Sequence, residues 1–166
     1  MRGLQERGAV ASLTVPRARL VACALALAVA VVVADRVTTS VVERDLHRVI
    51  HLWGPFGLAL QFNSGLAFSL FTGRSSLITV GLGVAVVVLA LLMTRVRTTA
   101  QAVGGGLVLG GGAGNLSERV VSGHHGQVAD FITLSHWPTF NVADACITIG
   151  IVVLAVSVLF GHPRQA

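Results

Sequence analysis

Two aspartates, Asp130 and Asp144, stand 14 positions apart in a chain of 166 residues that holds only seven acidic side chains. Carboxylates beside long apolar runs are costly, so those that persist there usually carry out chemistry. Two of them brought together cannot both ionise, because like charges a few ångströms apart repel strongly in low-dielectric surroundings. They share one proton. The ionised partner can take a proton from water while the protonated partner gives one up, which is what peptide hydrolysis needs without a covalent intermediate. The plainer alternative is support of helix ends. Asp144 lies near the start of an apolar run, where negative charge is favourable, and Arg119 is a candidate ion-pair partner for Asp130.

Other hydrolytic chemistries find little footing. A serine–lysine pair is impossible, since the chain contains no lysine. No His-Glu-x-x-His occurs. His47 and His51 have helical i, i+4 spacing but no acidic third ligand at an obvious distance, and His124-His125 is an adjacent pair in a loop, poor geometry for shared ligation. No metal and no cofactor are therefore expected. Cys146 lies two residues from Asp144, yet nothing in the sequence sets a histidine beside it. Cys23 and Cys146 sit near opposite ends of the expected bundle and read as packing residues, not as a disulfide.

The elements that must position the acids are written in the composition. Hydrophobic residues make up 54% of the chain, charged residues 11%, and the mean hydropathy is +0.80, whereas soluble domains carry about a quarter charged residues. The net charge of +5 comes from arginine alone. With no basic stripe of interleaved aromatics, it reads as membrane anchoring and not as a nucleic-acid surface. The fold expected is an all-α integral membrane domain of four transmembrane helices, with spans at about 18–36, 75–94, 98–117 and 141–160. Gly54-Pro55 and the polar group Gln61, Asn63, Ser64 and Gly65 make 37–73 a poor lipid-facing segment. It is expected to form a small extracytoplasmic β-rich cap, with short strands at Leu58–Phe62 and Leu66–Phe71. An outer loop would cover 118–140. Gly106, Gly110 and Gly114 share one helical face, expected to pack a neighbouring span and not a second copy, so a monomer is expected.

Arginine placement orients the bundle. With both termini cytoplasmic, seven arginines (2, 7, 17, 19, 95, 97 and 164) fall inside and five (36, 44, 48, 74 and 119) outside. Asp130 and Asp144 then lie at the outer end. An alternative use of the pair is proton or ion relay in a small membrane transporter, but relay acids belong at mid-span and these cluster at one end.

Four short segments carry more specific information: Asn63-Ser64-Gly65-Leu66-Ala67-Phe68, Gly114-Asn115-Leu116-Ser117-Glu118-Arg119, Val128-Ala129-Asp130-Phe131 and Phe140-Asn141-Val142-Ala143-Asp144. In this order they resemble the lipoprotein signal peptidase (signal peptidase II) family, membrane-embedded aspartic peptidases of bacteria. The resemblance implies that Asp130 and Asp144 are the catalytic pair. It implies that Asn63, Asn115, Arg119, Asn141, Asp35 and Glu118 support the pair or bind substrate. It further implies a diacylglyceryl-modified prolipoprotein as substrate, cut just before the lipidated cysteine, in the bacterial cytoplasmic membrane among its lipids. Glu118 departs from the family's pattern, where aspartate is usual: the charge is the same but the reach is longer. Helix capping is the competing role for Asn141.

Overall fold

A computed structural model describes residues 15–65 and 75–160. The expected strand at Leu66–Phe71 lies outside these residues, as does the second half of the first motif. The described elements run α1 (Arg17–Asp45), β1 (Ile50–His51), β2 (Phe56–Asn63), α2 (Ser75–Met93), α3 (Thr99–Val121), β3 (Val128–Leu134), β4 (Trp137–Phe140) and α4 (Val142–Phe160).

Three helices, α1, α2 and α4, are long and apolar enough to cross a membrane. They turn large apolar side chains outward: Val29 and Val33 on α1, Val80, Val84 and Val87 on α2, and Ile151, Val152 and Val156 on α4 are all exposed. Such belts are stable only against hydrocarbon. Helix α3 is different. It packs against all three of the others, and its glycines explain how. A Cβ on Gly106 would lie 2.7 Å from the Ala24 carbonyl oxygen, and one on Gly110 2.7 Å from that of Ala28. On another face, a Cβ on Gly104 would meet the Gly150 carbonyl oxygen at 2.9 Å, and one on Gly111 would strike that of Ala143. Backbone meets backbone on both sides, so the glycine face packs neighbouring helices of the same chain, as its spacing predicts. Thr98 caps α3 by accepting from the Gln101 amide (3.1 Å), while the Gln101 side chain accepts from the Arg97 amide (2.9 Å).

Gly110→Ala is accordingly expected to destabilise the bundle by about 1–3 kcal/mol, because the intruding methyl meets main chain that cannot rotate away. Gly81 on α2 has nothing within 4 Å of its would-be Cβ. Gly81→Ala should be neutral or stabilising by up to about 1 kcal/mol through helix propensity. Thermal melts of the two variants in one detergent test the contrast.

Two expectations are corrected. Helix α1 does not end near residue 36 but runs on to Asp45. The segment from 37 to 45 contains neither glycine nor proline, and Thr38 and Ser40 satisfy their hydroxyls on the Ala34 and Arg36 carbonyls, both at 2.7 Å. Twenty-nine residues at about 1.5 Å each give roughly 43 Å, well beyond a hydrocarbon core of about 30 Å. The second correction concerns the β-rich part. The strand expected at Leu58–Phe62 exists within β2, but its partners come from both inter-helix segments: the antiparallel sheet has the order β1-β2-β3-β4. Residues 128–140 thus hold two strands, and Asp130 lies on β3, in register with Gln61 of β2. Pairing across 69 residues leaves no local trace in a sequence. Both cysteines are free, as expected, but Cys23 is exposed on α1 and so is not a core packing residue, whereas Cys146 is half-buried.

Candidate active site

The sheet end of the helix bundle gathers the polar residues that the apolar surface excludes. Asp130 arrives on β3 and Asp144 in the first turn of α4. The β3–β4 hairpin between them turns at Ser135-His136, where His136 takes a left-handed φ of 66°. This fold-back makes the offset of 14 residues a short distance in space.

Asn141 joins the two acids. Its Nδ2 donates to Asp130 Oδ1 (3.0 Å) and to Asn115 Oδ1 (3.1 Å), while its Oδ1 accepts from the Asp144 backbone N–H (2.8 Å). Asn115, on α3, donates in turn to Asp144 Oδ1 (2.8 Å). Asn63, on β2, donates to the other Asp130 oxygen (3.0 Å), and its own Oδ1 accepts from the Gly65 amide (2.8 Å). The two roles weighed for Asn141 are therefore one: it caps α4 and bridges the carboxylates, and it is fully buried. The amide groups are turned toward the acids and toward one another.

Two further carboxylates fix the backbone on which the aspartates ride. Fully buried Asp35, from α1, accepts from the Ala143 N–H (2.9 Å), one residue before Asp144. Fully buried Glu118, from α3, accepts from the Ala129 N–H (2.7 Å), one residue before Asp130. Each aspartate thus ends a Val-Ala-Asp tripeptide, 128–130 and 142–144, whose alanine amide is held by an acid from the helices. Ala129 and Ala143 have no exposed surface, leaving no room for a larger side chain. The sequence points to Asp35 and Glu118 as supporting residues but does not single out Ala129 and Ala143, although the tripeptide that holds them is repeated in it.

Arg119 makes no hydrogen bond to either aspartate. Its guanidinium donates to the carbonyls of Gly126 (2.7 Å) and Gly65, tying the α3–β3 turn to the end of β2. Its charge still acts on both aspartates from that position. All eight residues singled out from sequence therefore meet at this end of the molecule, five of them hydrogen-bonding the aspartates or the backbone beside them.

Burial pushes the Asp130 carboxyl up to about 7; the nearby Asp144 charge adds to this, and the Asn63 and Asn141 donors and the Arg119 charge oppose it. An unfolded aspartate titrates near ~3.9. Between those values the folded chain holds a proton that the unfolded chain has released. Stability contributed by this group is therefore present at low pH, falls as pH rises through that window, and stays low above it, by at most roughly 4 kcal/mol. Melting temperature in detergent should drop between pH 5 and pH 7.5, and should drop less in Asp130→Asn.

Comparison with known proteins places this arrangement. Residues 27–160 match the family model for signal peptidase (SPase) II. The lipoprotein signal peptidase of Ectopseudomonas mendocina is 40% identical over 157 residues, covering 86% of this chain and 90% of that protein. That of Syntrophomonas wolfei is 34% identical over 143 residues, with 81% and 91% covered. That of Rhodococcus jostii is 43% identical over 111 residues, but the match spans only 54% of its length. A solved bacterial membrane enzyme shares the fold, with a TM-score of 0.77 at 21% identity over 87% of this chain and 92% of that one. A second gives a TM-score of 0.73 at 22% identity.

Proposed function

This chain belongs to the signal peptidase II family, and from that premise we propose that Asp130 and Asp144 are the catalytic pair of a membrane-embedded aspartic endopeptidase. Its substrate is a diacylglyceryl-modified prolipoprotein, and the bond cut is the one just before the lipidated cysteine. The observation that carries the reading is Asn141, whose one side chain hydrogen-bonds the Asp130 carboxylate and the Asp144 backbone together. Relatives bearing a peptidase's name give no support to the ion-coupled transporter.

The geometry suits a shared proton. Both Asp130 oxygens accept amide N–H groups, and one Asp144 oxygen does the same, so these donors limit the rotation of both carboxylates. A water held there loses a proton to the ionised acid as its oxygen adds to the scissile carbonyl carbon. The protonated acid hydrogen-bonds the carbonyl oxygen, and a proton passes to the departing amide nitrogen as the C–N bond breaks. The pair titrates as a unit, so base and acid are not assigned to single residues. Asp35, Glu118, Asn63, Asn115, Asn141 and Arg119 are positioning residues in this scheme.

We assign α3 as the fourth span, shielded from lipid by the other three. Both termini then face the cytoplasm and the sheet end faces outward, in keeping with the mild arginine excess on the inner side. A lipid-bearing substrate reaches that end sideways from the bilayer, its signal helix beside the bundle. A polar cleft at the membrane surface lowers the cost of bringing peptide groups out of water. The enzyme acts as a monomer.

Purified full-length protein incubated with a diacylglyceryl-modified prolipoprotein should release the signal peptide and leave the modified cysteine as the new N-terminus, read by mass spectrometry. Cleavage at another bond, or none, would remove the assignment.

A further inference from the structure

We propose that Glu43, Glu118 and His124 form a binding site for a divalent cation of the zinc type, beside the aspartate pair but separate from it. The three come from the extension of α1, the last turn of α3 and the turn that follows α3. Each offers one ligand atom, and these atoms lie within 4.8 Å of one another. Seventy-five positions separate Glu43 from Glu118, which is why metal binding is not expected from spacing along the chain.

A cluster of this kind is common on protein surfaces without an ion, but here a second observation points to a ligand. Glu118 has no exposed surface. One of its oxygens is spent on the Ala129 amide, and the other, Oε2, is buried without a hydrogen-bond partner. Glu43 Oε1 and His124 Nδ1 are likewise buried atoms without hydrogen bonds, and they stand 3.5 Å apart. Buried acceptors left unpaired are costly, and a cation between them satisfies all three at once.

Charge points the same way. Asp35, Glu43 and Arg36 all act electrostatically on Glu118. Two of these three neighbours are carboxylates, so a cation bound at Glu118 would sit among acidic groups whose mutual repulsion it offsets. One imidazole and two carboxylate oxygens suit zinc, with a water completing four-coordination. The Phe62 ring, 4.5 Å from the His124 ring and tilted by 50°, limits rotation of the imidazole. Glu43 and His124 retain 30% side-chain exposure, which gives an ion a way in. The ion would brace α1, α3 and β3 against one another and so steady the strand that carries Asp130. The site does not depend on the peptidase assignment.

Full-length protein without a histidine tag, stripped with EDTA in detergent, should take up one zinc per chain in equilibrium dialysis, and its melting temperature should rise with zinc. His124→Ala and Glu43→Gln should each weaken binding by at least ~10-fold, the scale of losses at metal sites even for outer partners, and abolish that rise. Glu43→Gln is isosteric and partly exposed, so the fold should tolerate it. The idea is overturned by wild-type protein that takes up no stoichiometric zinc, or by undiminished binding in either variant. The first result would leave His124 and Glu43 as a simple ion pair; the second would place zinc on other histidines.

Discussion

Asp130→Asn and Asp144→Asn are each expected to lower the cleavage rate by roughly 10³-fold or more while leaving the helices intact. Asparagine matches aspartate in size, so the contacts of Asn63, Asn115 and Asn141 are disturbed at one acceptor each and the bundle is not. What disappears is the ability to exchange a proton. Because the pair acts as a unit, the double variant should be little worse than either single one. Multiplicative losses would mean that the two acids work separately, which a shared proton does not allow. Single-turnover cleavage of a lipidated precursor, with circular dichroism and melting temperature in parallel, makes the comparison. Continued processing by both single variants would sink the catalytic assignment.

Asn141→Ala should be the next most damaging change, lowering turnover by about 10²-fold, the lower end of what proton-transfer catalysis contributes. It removes two kinds of support. Loss of the α4 cap costs about 1 kcal/mol, and loss of the donor to Asp130 leaves a buried carboxylate oxygen unpaired, at about 1–3 kcal/mol. Asn141→Ser separates them. Serine caps a helix about as well as asparagine but is too short to bridge to Asp130 and Asn115. Stability should therefore recover in part while turnover does not. The Asn141 hydrogen bond favours the ionised form of Asp130, so its removal should move the limb of the pH–rate profile governed by that group to higher pH. A variant that loses stability but keeps both rate and profile would reduce Asn141 to a cap.

The membrane character and three of the helices are legible in one dimension because their causes are local. Apolar runs such as Ser75–Thr94 announce a helix among lipids by composition, and the glycine spacing on α3 announces close packing by periodicity. Short motifs point to Asp130, Asp144 and the asparagines, which the fold brings within hydrogen-bonding reach of one another. The continuation of α1 past residue 36 is not legible because polar residues suggest the end of a span, whereas a helix needs only satisfied hydrogen bonds and no breaker.

Only the tertiary structure decided what the acids touch. Strand β3 finds β2 across the length of α2 and α3, and no local property of 128–134 dictates that pairing. The use of Asp35 and Glu118 on the alanine amides, the turning of Arg119 toward Gly65 and Gly126, and the meeting of Glu43 with His124 all follow from helices crossing. Contacts of that kind depend on where distant backbones come to rest, and the chain settles them only when its glycine faces close.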